Sequence, residues 1–293
     1  MDLYAYLIWS VPVVVGLAAL EALVLAFVAR QKYDWRASLA SLADMLVREF
    51  GVNRLLGYSI VAPLIALAWQ HRLTTMPLNT AAAIAILFVG QEFCYYWFHR
   101  ASHRIRWFWA SHAVHHSPND LNLSASYRFG WTGRITGTSV FFVPVIWLGF
   151  PPAAVFATLA LNLLYQFMLH TTWIPKLGRW YEFVFNTPSH HRVHHASNEA
   201  YLDANYGGVL IVFDRLFGTF VEERADLPCR YGLTKPIHSY NPVYIAFHEW
   251  IAMARDVWQA RTWRERFLRV FGPPGWKPGR ETRAALPLIT AAE

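Results

Sequence analysis

Ten of the chain's thirteen histidines fall in three knots and one isolated position: His99 and His103; His112, His115 and His116; His190, His191, His194 and His195; and His170 alone. The pairs His99/His103, His112/His116 and His191/His195 are four residues apart. On a helix each pair therefore shares one face, a turn apart. Imidazoles aimed at a common point are metal ligands by type. Neutral imidazole suits zinc, copper, iron and nickel, whereas magnesium and calcium take oxygen. So many rings exceed what one ion uses, and two metals are expected. Without metal, protonated rings would repel one another, and neutral buried rings would each need a partner for both nitrogens.

A ligating imidazole usually donates its other nitrogen to a carboxylate or carbonyl. Glu92 lies seven residues before His99 on the same helical face, and a carboxylate inside an apolar span is otherwise expensive. It is the expected partner. Asp120 and Asn205, with Asp203 and Asp214, are further candidates, each of a type that also caps helices and turns. Ser189 has histidine neighbours and could suggest a nucleophile–base pair, but metal-ligand spacing accounts for those histidines better. No GxGxxG or P-loop pattern marks a nucleotide site.

The elements that position these knots belong to a membrane protein. Of the 293 residues 55% are hydrophobic and 16% aromatic, and only 15% are charged, against about a quarter in soluble domains. The net charge of +7 comes without a recognition motif for nucleic acid, so anionic lipid is the expected partner. Two cysteines, Cys94 and Cys229, make neither a disulfide framework nor a thiolate zinc site. Residues 7–29 are apolar enough to cross a bilayer, and the start MDLYAY lacks the basic region of a cleaved signal peptide. Residues 54–69 form a shorter second span, and Thr80–Phe98 a third that feeds straight into His99. The run 137–169 is broken by Gly149-Phe150-Pro151-Pro152, which predicts a helical hairpin. Arg30, Lys32, Arg36, Arg48 and Arg54 lie between the first two spans, against Arg72 alone in the opposite loop. The loop 30–54 is therefore expected on the cytoplasmic side, and counting spans puts every histidine knot there too. Residues 241–271 pair apolar positions with Arg255, Arg261, Arg264 and Arg266, as a helix on the inner leaflet does, or one packed on the domain. Three segments result: 1–80 with the first spans and basic loop, 81–225 with the histidines, and a basic interfacial tail, 226–293.

At 95-YYWFHRASH-103, 112-HAVHHSPNDLNLS-124, 169-LHTTWIPKLG-178, 186-NTPSHHRVHH-195 and 205-NYGGVLIVFDRLFGTF-220 the chain resembles the fatty acid hydroxylase/sterol desaturase superfamily of membrane enzymes. Within it the motifs are most similar to the alkylglycerol monooxygenase-like branch. The resemblance implies an all-α fold: an integral membrane helical bundle of about four spanning helices or hairpin equivalents, with a cytosolic helical cap carrying a histidine cage. It implies two iron ions held by His99, His103, His112, His115, His116, His170, His191, His194 and His195, with His190 inside the motif. It also implies dioxygen, a lipid substrate hydroxylated or desaturated at a C–H bond, and an external electron donor, either a redox protein or a reduced pterin. The inner membrane with a cytoplasmic active site is the expected location. One departure bears on the substrate: that branch carries glutamate directly after the second histidine, where this chain has Arg104. The metal cage carries over; ether-lipid cleavage and a pterin are left open.

Two other classes would use similar residues. A metal-dependent membrane hydrolase acting on lipids would keep the metals but need neither oxygen nor reductant. A metal transporter would place its ligands near the bilayer midplane, whereas these knots follow the spans. Phe98, Trp107 and Trp109 are candidates to line a tunnel for an acyl chain or sterol.

Overall fold

The computed structural model describes residues 3–279, with side chains from Val11 onward. Helix α1 (Leu3–Leu23) runs on through a π-helical turn to Val28. Helix α2 (Trp35–Leu46) is followed by the short α3 (Asn53–Leu56), α4 (Ala62–Gln70) and the long α5 (Ala81–Arg104). After α6 (Arg106–His112) come the single turns α7 (Leu123–Ser126) and α8 (Gly133–Thr136). Then follow α9 (Val143–Leu148), α10 (Pro152–Leu169), α11 (Arg179–Val184), α12 (Pro188–His194) and α13 (Val212–Leu216). The last two are α14 (Pro242–Trp258) and α15 (Trp263–Phe271). Among the described residues there is no strand, only two isolated bridges.

Among the described residues, three helices are long and apolar enough to cross a membrane: Val11–Val28, Ala81–Arg104 and Pro152–Leu169. Their polarity is inverted relative to a soluble protein. Ile84, Ile86 and Val89 of α5 and Leu161, Leu163 and Leu164 of α10 face outward, while Gln91, Glu92, Asn162 and Gln166 are buried. That distribution suits a surrounding of lipid, where polar groups belong inside the bundle.

Helix α5 starts because the Thr80 hydroxyl accepts the Ala83 N–H at 3.2 Å, a side-chain cap on an alanine-rich first turn. Helix α10 starts at Pro152, a residue suited to the first helical position. Both helices run the same way and carry their histidines at the C-terminal end, roughly 27 Å of helix from their starts. A core of Leu87, Cys94, Tyr95, Phe142, Val145, Ile146 and Phe150 fills the space between α5, α9 and α10.

The expected second span at 54–69 is not one helix. Gly57, with φ +63°, ends α3, and α4 restarts at Ala62 for nine residues, about 14 Å of helix against the ~30 Å of a hydrocarbon core. The proline-marked hairpin does form. Thr138–Leu148 descends beside α4, the chain turns at Gly149–Pro151, and α10 returns. At the turn the Leu73 N–H donates to Trp147 O at 2.8 Å and the Met76 N–H to Gly149 O at 3.0 Å. Gly149 has φ +121°, and a Cβ there would meet Thr74 O at 2.3 Å, so only glycine fits. The loop 30–54 ends up at the histidine end of the bundle: Ser38 Oγ lies 2.7 Å from Ser124 Oγ, and α2 packs on α7 and α14. Glu21, inside the first span, accepts the Leu123 N–H at 2.6 Å and so joins α1 to α7.

Gly149→Ala should lower stability by about 1–3 kcal/mol through its backbone strain. A lowered thermal midpoint in detergent, with unchanged metal content per folded chain, is expected, because the turn lies at the opposite end of α10 from His170.

Candidate metal centre

The nine histidines other than His190 converge into two groups. His99, His103, His112, His116 and His194 form one; His115, His170, His191 and His195 form the other, and within each group the ligand nitrogens all lie within 4.8 Å. Helix α5 brings His99 and His103 on its last turns; α6 and the turn after it bring His112, His115 and His116. His170 caps α10, and α12 brings His191, His194 and His195, starting from Thr187, whose hydroxyl accepts the His190 N–H at 3.4 Å. The two groups abut, with His116 stacked on His195 at 4.4 Å between centroids. His112 alone of the nine is partly exposed.

The tautomers follow from hydrogen bonding. The Nδ1–H of His99 donates to Tyr206 O at 2.8 Å, that of His115 to Arg128 O at 3.2 Å, that of His170 to Gln166 O at 2.8 Å and that of His194 to Ala204 O at 3.0 Å. A neutral imidazole has one N–H, so in these rings Nε2 presents only a lone pair. Yet His115 Nε2 and His170 Nε2 lie 3.3 Å apart, and His99 Nε2 and His112 Nε2 3.1 Å apart. The contacts His103–His112, His112–His116 and His170–His191 are of 3.1, 3.2 and 3.1 Å between Nε2 atoms. His194 Nε2 and His195 Nε2 are buried with no hydrogen-bond partner. Two nitrogens bound at ~2.1 Å to one ion at right angles lie about 3.0 Å apart, so the residues present fit a metal in each group. Protonation is no alternative at neutral pH. Burial, reinforced by the neighbouring rings, holds His112, His115, His116, His191 and His195 well below the usual imidazole value. It takes His170 to about 3 and His194 to about 4.

His190, expected with the ligands, is outside both groups. Its Nε2 is 3.8 Å from Glu182 Oε2 and its ring packs edge-on against Phe220. As the neighbour of His191 on α12, it points to a different side of the helix. Glu92 does not bond a histidine either. It accepts the N–H groups of Val209 and Leu210 at 2.8 and 2.9 Å and bonds the Asn162 amide, and thereby anchors the loop whose Tyr206 O holds His99. Asp214 anchors the same loop through the Tyr206 and Gly207 N–H groups, both at 2.7 Å, and a Cβ on Gly208 would collide with Asn162 Nδ2 at 2.2 Å. Asn205 is placed as a brace: its Nδ2 donates to His190 O at 3.1 Å and to Val221 O at 2.8 Å. Asp120 is exposed and belongs to neither histidine group.

Backbone carbonyls, which carry no side-chain signature, take the role expected of carboxylates. Among the proposed tunnel residues, Trp109 packs on His103 and His116 at 5.3 and 5.7 Å. Phe98 joins Phe141 and Phe142, and Trp107 meets Trp250. Arg104 turns outward to an ion pair with Asp203 at 2.8 Å. Ser189 Oγ is buried and makes no hydrogen bond to a histidine, so no serine–histidine pair forms there.

Glu92→Ala should strand two buried N–H groups at about 1–3 kcal/mol each. The expected result is a lower thermal midpoint, partly restored in Glu92→Gln; equal midpoints for all three proteins would contradict this role.

Residues 84–219 match the family model for fatty acid hydroxylase. Alkylglycerol monooxygenase of Homo sapiens is 40% identical over 213 residues, 72% of this chain and 47% of its own length. That of Xenopus tropicalis is 37% identical over 227 residues, 78% of this chain and 50% of its own. Ornithine lipid hydroxylase OlsE of Rhizobium tropici is 29% identical over 140 residues, 48% of this chain and 42% of its own. The chain thus spans about half the length of the curated relatives it matches, and no solved structure matches it. Residues 84–219, which carry both histidine groups, are thus the part of the chain that matches the fatty acid hydroxylase family model.

Proposed function

We propose that the protein is a membrane-bound, dioxygen-dependent di-iron oxidoreductase that hydroxylates or desaturates a C–H bond of a lipid. The observation that supports this best is the pair of abutting histidine groups, in which His99, His115, His170 and His194 turn lone-pair Nε2 atoms inward. One iron would be held by His99, His103, His112, His116 and His194, the other by His115, His170, His191 and His195. Bound iron supplies dioxygen activation and hydrogen removal from an unactivated carbon, the chemistry that imidazole-rich iron offers and side chains lack. The chain's own part is to orient and to exclude water. Carbonyls fix the tautomers of His99, His115, His170 and His194, and burial keeps the rings neutral and dry. The partly exposed His112, beside Trp109, marks the side from which substrate approaches.

A lipid substrate fits the relatives' names, alkylglycerol monooxygenase and ornithine lipid hydroxylase, and a site at the ends of apolar helices. Electrons come from an external donor, a redox protein or a reduced pterin. The bundle lies in the inner membrane with the histidines on the cytoplasmic side, as the basic residues at 30–54 favour. Segment 81–225 is the catalytic unit, after the membrane segment 1–80. Segment 226–293, of which 280–293 lie outside the described residues, is an interfacial tail: Trp258 and Trp263 are 89% and 80% exposed beside Arg261, Arg264 and Arg266. The Arg106 N–H, just past the end of α5, donates to Gly272 O at 3.0 Å, which holds α15 near the membrane surface. Trp and Arg together suit that level.

Two irons per chain are expected in the purified protein, both kept in His190→Ala and one lost in His191→Ala. Cells supplied with isotopically labelled dioxygen should accumulate a lipid that carries the label if hydroxylated, or an added double bond without label if desaturated, and that depends on His191. Zinc in place of iron, with a lipid-cleaving activity indifferent to oxygen, would overturn the proposal in favour of a hydrolase.

A further inference from the structure

His115 is touched twice by the dipeptide Arg128–Phe129. Arg128 O accepts its Nδ1–H at 3.2 Å, and the Phe129 ring stacks on the imidazole at 5.0 Å between centroids and 5° between planes. That dipeptide is in turn held by α2. The buried Arg128 guanidinium donates to Ser41 Oγ at 3.1 Å, to Ala37 O at 3.0 Å and to Ser117 Oγ at 3.0 Å. The Phe129 N–H donates to the buried Asp44 Oδ2 at 3.0 Å, and the Arg48 guanidinium lies 5.0 Å over the Phe129 ring. Burial raises the Asp44 carboxyl to about 6, against the pull of the Phe129 N–H and of Arg48 and Arg128, and lowers Arg128 to about 10. At neutral pH both are charged, a costly arrangement to bury, and its hydrogen bonds converge on the two residues behind one ring.

The five-histidine group has different anchors. His99 and His194 are tethered to Tyr206 O and Ala204 O, in the loop secured by Glu92 and Asp214. Helix α2 lies outside residues 84–219, and the dipeptide it holds touches His115, a member of the four-histidine group.

We infer that α2 is a positioning clamp for the four-histidine group: Asp44 through Phe129, and Ser41 through Arg128, fix the rotation and tautomer of His115 and so set metal affinity there and not in the five-histidine group. This rests on the reading of both groups as metal sites. An accepting carbonyl behind Nδ1 makes Nε2 the better donor, and a flat ring against the imidazole limits its rotation; loss of such supports costs metal affinity about 10–100-fold.

The test uses the full chain in detergent, stripped of metal and titrated anaerobically with Fe(II) against a chromophoric chelator. In Asp44→Ala, one of two bound ions should weaken about 10–100-fold with the other unchanged. Asp44→Asn, which keeps an oxygen for the Phe129 N–H, should recover most of the loss. Phe129→Leu, which keeps apolar bulk but removes the stacked ring, should weaken the same single ion and guards against a fold defect in Asp44→Ala. Equal weakening of both ions, or none in Phe129→Leu, would overturn the clamp. Fewer than two ions in the unmodified protein would instead count against the di-iron proposal itself.

Discussion

Buried imidazole lone pairs facing one another are the constraint on which the rest of this structure depends. His115 and His170 each spend their one N–H on a backbone carbonyl, leaving their Nε2 atoms 3.3 Å apart with nothing to share. His194 repeats the arrangement with an unpartnered Nε2. An unsatisfied buried polar atom costs about 1–3 kcal/mol, and several such costs in one place would threaten a fold whose net stability is about 5–15 kcal/mol. A cation in each group turns this repulsion into coordination. The alternative, protonation, is closed by burial.

Positioning falls to elements that lipid and covalent continuity hold in place. Helices α5 and α10 are parallel, apolar outside and polar inside, and deliver their histidines together at one end. Glu92, Asn162 and Gln166 form the polar spine between them. Glu92 secures the loop behind His99, and Gln166 O receives His170. The two groups touch but are braced differently: Tyr206 O and Ala204 O stand behind His99 and His194, and Arg128–Phe129, bonded to α2, stands behind His115.

Much of this was legible in the residues. The i, i+4 pairs His99/His103 and His112/His116 stay together in one group and His191/His195 in the other, whereas the equally spaced His190/His194 is split. The odd members cross over: His115 joins the second group and His194 the first, and that depends on how three segments meet. His190 reads like its neighbours in sequence but lies on another side of α12, against Glu182. The stretch 54–69 is two helices rather than one because Gly57, at φ +63°, ends α3 before α4 begins. The supporting carbonyls of Tyr206, Arg128, Gln166 and Ala204 were invisible for a simpler reason: every residue has one.

Diffraction at the iron absorption edge, on crystals of the protein purified with its native metal, addresses the central claim most directly. The account predicts two anomalous peaks per chain, one among His99, His103, His112, His116 and His194 and one among His115, His170, His191 and His195. A single peak, or a peak beside His190 and Glu182 with either group empty, would contradict it.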